Sequence, residues 1–135
     1  MTPASRPAGP GPSRLALWAP PVMYMAVIFL LSSLSRPPDL GPDSSAHFVE
    51  YAGLGLLLTR AFSGGMGRAR GGSAAMAWAA ASLYGVSDEL HQGFVPSRHA
   101  EGKDVLMDAI GSGTGAALAW AVGIRQRRLE GGVQR

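Results

Sequence analysis

The sequence predicts an all-α membrane protein, a bundle of four transmembrane helices with both termini in the cytoplasm. Three observations predict it: apolar blocks of near-bilayer length, Pro/Gly-rich breaks between them, and arginines gathered on alternate breaks. The block Leu15 to Leu34 holds no ionised group, and about 20 such residues at roughly 1.5 Å each match the hydrocarbon core of a bilayer. It is longer than the apolar region of a signal peptide and no small-x-small cleavage site follows it, so it reads as a retained first span. Pro20 and Pro21 predict a kink near its start, or a helix that begins at about Pro20.

The remaining elements follow from the same signals. Residues 1–13 are Pro/Gly-rich and read as a disordered tail. Residues 35–45 carry Pro37, Pro38, Gly41 and Pro42, a loop signal, and Asp43, Ser44 and Ser45 are N-cap candidates for the next helix. Ala46 to Phe62 is the second span, and the glycine-rich stretch 63–72 is expected to be a flexible connection. The third span starts near Ser73, stays apolar through Val86 and turns polar over residues 87–92. A loop with Pro96 follows. The fourth span covers roughly Lys103 to Ile124 and is stopped by Arg125, Arg127 and Arg128. One transmembrane domain, 14–128, thus lies between tails 1–13 and 129–135.

Orientation comes from the basic residues. Arg6, Arg14, Arg60, Arg68, Arg70, Arg125, Arg127, Arg128 and Arg135 fall on one side of this scheme, and Arg36, Arg98 and Lys103 on the other. The richer side is cytoplasmic by the positive-inside rule. The same distribution argues against a nucleic-acid partner despite a net charge of +3 and a pI near 10, because the cations sit beside apolar blocks. The absence of cysteine excludes a disulfide, a zinc–thiolate centre and a thiol nucleophile.

Ionisable groups inside spans are costly and mark candidate sites. In the second span His47, Glu50 and Tyr51 share a face at i, i+3 and i+4. In the third, Asp88, His91 and Gln92 do the same, with Tyr84 a turn deeper. Asp104 and Asp108 share a stripe of the fourth with Gly111 and Gly115, a GxxxG pattern expected to pack within the bundle rather than between copies. These residues converge on one layer at the outer boundary, with Glu50 and Asp108 about 5 Å further in. Glu89 belongs to the same polar run, although its side chain is expected to point away from Asp88 and to cap or solvate the helix end. Arg98, beside Pro96, is a candidate to grip a phosphate or carboxylate, or to pair with a neighbouring acid. Trp18, Trp78 and Trp120 read as anchoring or packing residues, and His99 and Glu101 as solvated loop residues. The candidate catalytic set is therefore His47, Glu50, Asp88, Glu89, His91 and Asp108, with Tyr51, Gln92, Arg98 and Asp104 as substrate-binding residues. Two histidines among carboxylates would also suit a divalent ion such as zinc or manganese, although the spacing matches no metal motif.

At these residues the chain resembles the VanZ-like family of bacterial membrane proteins. The resemblance is carried by Asp43-x-x-x-His47-Phe48-x-x-Tyr51-x-x-Leu54-Gly55. It continues in Ser87-Asp88-Glu89-x-His91-Gln92-x-Phe94-x-Pro96-x-Arg98 and in Asp104-Val105-x-x-Asp108-x-x-Gly111-x-x-x-Gly115. Ser44 stands where the family often has lysine, and Asp108 where asparagine is common. The resemblance implies a multi-pass protein of the bacterial inner membrane, in a family named for a member linked to resistance to glycopeptide antibiotics. The expected role is binding or processing of a cell-envelope substrate, a lipid-linked or cell-wall precursor, at the outer face. The alternative is a non-enzymatic scaffold or binding protein whose polar network is structural. A proton-coupled carrier is a weaker reading, since no polar path continues below the cluster. A homo-oligomer is compatible with all three.

Overall fold

The computed structural model describes residues 11–36 and 43–133. The tail 1–10, most of the predicted first loop and the side chains of Asp43 and Ser44 lie outside that description. Among the described residues the fold is all helical: α1 (Arg14–Ser32), α2 (Asp43–Ser63), α3 (Gly71–Gln92) and α4 (Gly102–Val133), with one 3-10 turn at Met66–Arg68. Two of the four, α1 and α4, are long and apolar enough to cross a membrane. The second and third are of similar length to α1 but carry the polar residues.

Helix α1 starts at Arg14, before the prolines rather than at them. Ser13 caps it by accepting the Ala16 N–H at 3.2 Å. Pro20 has no N–H to return to the carbonyl of Ala16, four residues earlier. Arg60 replaces that donor from α2, Nη1 to Ala16 O at 3.1 Å, so the helix runs through both prolines to Ser32.

The central helix is α2, which touches all three others, while α1 and α4 do not meet. The most extensive contact is between α2 and α4, and it is made by glycines. A Cβ at Gly55 would stand 2.1 Å from Ser112 O, one at Gly111 2.3 Å from Phe48 O, and one at Gly115 1.9 Å from Ala52 O. Backbone therefore lies on backbone, and the predicted GxxxG stripe packs inside the bundle. On α3 the contact face is Ala74, Ala77, Ala81, Gly85 and Asp88, a helical stripe of small residues. The apolar core joins these alanines to Ile28, Tyr51, Leu54 and Leu58.

Outward faces are apolar. Val22, Met23 and Leu30 of α1, Leu83 and Leu90 of α3, and Leu106 and Leu118 of α4 are all more than half exposed, whereas His47, Asp88, Glu89, Asp104 and Asp108 are buried. Water-soluble chains distribute these residue types the other way.

Two expectations about connections are corrected. The glycine-rich stretch 63–72 is a defined turn, with positive φ at Gly64 and Gly65 and a fully buried Ala69. Arg127 of α4 fastens it, donating from Nη1 to Gly67 O at 3.1 Å and Ala69 O at 2.7 Å. The arginines after Ile124 end the apolar stretch but not the helix, which continues to Val133, because arginine is a good helix former.

Gly115→Ala is expected to lower the stability of the detergent-purified protein by at least about 1–3 kcal/mol, read as a lower thermal midpoint, while Gly72→Ala, in open space, leaves it unchanged or raised. Arg60→Met, which keeps the stem and removes the donor, is expected to cost about 1 kcal/mol; an unchanged midpoint would show that water serves Ala16 equally well.

Candidate functional site

One end of the bundle collects polar side chains from all four helices: the last turn of α1, the first turns of α2 and α4, and the last turns of α3. The α2–α4 glycine contact sets their register. One turn beyond Gly111, Asp108 faces His47, with Nδ1 2.9 Å from Asp108 Oδ1. Asp108 is completely buried, and it fits because Gly85 of α3 has no side chain: a Cβ there would lie 2.7 Å from Asp108 Oδ2.

Beside this pair runs a fully bonded chain. Ser32 of α1 donates to Asp88 Oδ1 at 2.6 Å, and Gln92 donates to Asp88 Oδ2 at 3.1 Å. Arg98 then donates from Nη2 to Gln92 Oε1. Both oxygens of Asp88 are thus engaged. Of the two roles expected for Arg98, pairing with an acid gives way to pairing with this amide.

The third group is different in kind. Glu89 is 3 % exposed, so it neither points into solvent nor caps its own helix, as expected from sequence. Its Oε2 accepts the Glu101 N–H at 2.9 Å, one residue ahead of α4, and so helps fix the start of that helix. Among the described residues Glu89 Oε1 is buried with no hydrogen-bond partner, as are Asp104 Oδ1, Asp108 Oδ2 and Tyr51 Oη. Four orphaned polar atoms in one layer are unusual, since buried polar groups are nearly always paired. One donor atom each from His47, Glu89 and Asp104 lie within 4.8 Å of one another.

The other candidates divide. Glu50 is half-buried on the α2 face below His47. Tyr51 is fully buried beside Tyr84, ring centroids 6.4 Å apart, and reaches no solvent. His91 turns toward α1, stacked on Phe29 at 4.5 Å and 3.0 Å from Ser33 Oγ through Nε2. It therefore does not join His47. Ser32 and Ser33 are the site residues that the sequence reading missed. Their signal was a serine pair closing the first apolar block, at the depth where the other helices become polar.

A cavity of about 260 Å³ opens over this end, lined by Ser35, His47, Gln92, Arg98, Glu101 and Asp104 among others. Ser97, at its edge, holds a positive φ of 67°, which turns the chain so that Arg98 faces back over α3. Glu101 and Lys103 form a surface pair at 2.7 Å, and the Lys103 ammonium holds the exposed Glu101 carboxyl below its ordinary range. Trp18, Trp78 and Trp120 are partly exposed on the helix flanks, with Trp78 Nε1 donating to Ala109 O at 2.9 Å, a packing role as expected.

No curated protein and no solved structure matches the chain. A family model described as VanZ/LLP1 matches residues 43–123, which takes in α2, α3 and most of α4 and leaves out α1. Over more than half of its length, and across every acid and histidine of the polar layer, the chain matches that family, and it belongs to the VanZ-like family.

Proposed function

We propose that the chain is a four-span protein of the bacterial inner membrane, both ends cytoplasmic, whose outer-face polar layer binds or processes a membrane-associated anionic substrate of the cell envelope. The substrate class is a lipid-linked or cell-wall glycan precursor. The observation that carries this reading is a solvent-connected cavity lined by Arg98, His47 and Asp104, beside buried carboxylate oxygens that have no partner among the described residues. A purely structural network closes its hydrogen bonds. This one leaves buried acceptors unpaired beneath the cavity.

Helices α2 and α3 cross with α1 and α4 in this reading, supported by the apolar outward residues of α3 and the enclosure of α2 by its neighbours. Each has the length to cross, since about 20 helical residues span roughly 30 Å. The polar layer then lies on the side poorer in arginine.

The residues take separate roles. Arg98 uses one of its five N–H donors on Gln92, and its guanidinium grips an anionic oxygen in the cavity. Half-buried Glu50 is the group that moves a proton in this reading, and His47, held by Asp108, binds at the cavity wall. Asp88 and Gln92 position Arg98. A scaffold role is favoured for the Ser32–Asp88–Gln92 chain alone, because every acceptor of Asp88 is occupied there. An effect on glycopeptide susceptibility would follow only through such an envelope precursor.

Single cysteines introduced into this cysteine-free chain test the orientation. Ser35→Cys and Phe94→Cys are expected to react with an impermeant maleimide on intact cells, and Met66→Cys and Glu130→Cys only after lysis. The reverse pattern would put the layer in the cytoplasm and overturn an envelope substrate. Binding is tested with a fluorescent polyprenyl diphosphate in detergent. Arg98→Ala should weaken it about 10- to 100-fold, as loss of a charge-assisted hydrogen bond of roughly 1.5–3 kcal/mol requires, and Glu130→Gln should not. Equal binding by wild type and Arg98→Ala would remove the guanidinium from the site.

A further inference from the structure

We infer that His47, Glu89 and Asp104 form a binding site for one divalent metal ion, of the zinc or manganese kind, at the joint end of α2, α3 and α4. Four observations converge on it. One donor atom from each of the three residues lies within 4.8 Å of the other two. All three residues are more than nine-tenths buried, so this is not a surface cluster of acids. Glu89 Oε1 and Asp104 Oδ1, one from each acid, are orphaned there. The fourth is the state of His47. Its Nδ1 is taken by Asp108, and the tautomer that donates from Nδ1 leaves a lone pair on Nε2. A carboxylate behind a histidine in this way is the usual support for a metal-bound imidazole, fixing its rotation and raising its basicity.

Charge and geometry agree. Glu50, Asp88, Glu89, Asp104 and Asp108 share this end of the bundle with the Arg98 guanidinium, while Lys103 pairs with the exposed Glu101 and His91 turns toward α1. Buried carboxylates without a counter-ion are strongly disfavoured, and a dication relieves Glu89 and Asp104 directly and Asp108 through His47. Ligands about 2.0–2.1 Å from a tetrahedral ion stand roughly 3.3 Å apart, so small rotations of Glu89 and Asp104 close the set. One nitrogen and two carboxylate oxygens suit zinc or manganese and do not suit copper(I) or an iron–sulfur cluster, which take thiolates. Three protein ligands leave positions free, as in catalytic rather than structural sites. His47 and Asp104 also line the cavity that Arg98 overlooks, so those positions would accept an oxygen of the anionic substrate proposed above. Metal binding itself does not depend on that substrate or on orientation.

The test uses the full-length, untagged chain in detergent, stripped with EDTA and dialysed against Zn²⁺ or Mn²⁺, with bound metal counted by elemental analysis. One tightly held ion per chain is expected, with a raised thermal midpoint because the ion joins three helices. Asp104→Asn and Glu89→Gln should each weaken binding at least about 10-fold, and Asp108→Asn about 10- to 100-fold through His47. The double variant His91→Ala/His99→Ala should bind as wild type. Pulsed electron paramagnetic resonance of the Mn²⁺-loaded wild type should show nitrogen coupling from one imidazole, which decides the matter even where a variant does not fold. No saturable ion, no nitrogen coupling, or undiminished binding by both Asp104→Asn and Glu89→Gln would overturn the site and leave protonated carboxylates as the resting state. A metal bound by a chain whose cysteine pattern is reversed would keep this inference and remove the envelope reading.

Discussion

Backbone contact between α2 and α4 is the constraint on which the rest of the structure depends. Gly55, Gly111 and Gly115 permit an approach that no side chain would tolerate, and such an approach fixes both the separation and the register of two helices. Once Gly111 lies on Phe48, the next turn of α4 brings Asp108 against His47, the residue before Phe48. The third helix is then admitted only on a face of alanine and glycine, and Gly85 is where the Asp108 carboxylate enters it. The polar layer is thus a product of the apolar packing beneath it, which is why small residues far from any chemistry matter to its geometry.

Within the layer, paired and unpaired groups separate by location. The Ser32–Asp88–Gln92–Arg98 chain is complete and ties α1 to α3 and to the loop that follows. On the α4 side, Glu89, Asp104 and Asp108 each keep a buried oxygen without a partner. A low-dielectric surround strengthens the first set and penalises the second. The two halves therefore differ in kind, one closed and rigid and the other holding acceptors without a partner among the described residues.

Much of this was legible in the residues. The helices follow from apolar blocks and their breaks, and the convergence of His47, Asp88, Asp104 and Asp108 from their helical spacing and depth. Side-chain direction was not legible, because 3.6-residue periodicity assigns a face but not which neighbour that face meets. Hence His91, one turn from Asp88, was grouped with His47 but belongs to Ser33 and Phe29. Glu89 was read as solvated since adjacent residues diverge by about 100°, yet α4 begins on the side to which it diverges. The serines that close α1 carry only a weak sequence signal, because a serine in an apolar helix usually bonds its own backbone, as Ser32 and Ser33 also do here. The ordered turn at 64–69 was hidden because its anchor, Arg127, lies some sixty residues away in sequence.

Helix α4 has 32 residues, which at 1.5 Å per residue is roughly 48 Å, against a hydrocarbon core of about 30 Å. A rod with that mismatch must lean or protrude. Leaning would carry α2 with it through the glycine seam and the turn that Arg127 fastens as well. In the four-span reading proposed above, protrusion at the arginine-rich end would bring Arg125 and Arg128 to the level of the lipid phosphates, so the surplus length of α4 would carry charge, not apolar surface, out of the bilayer.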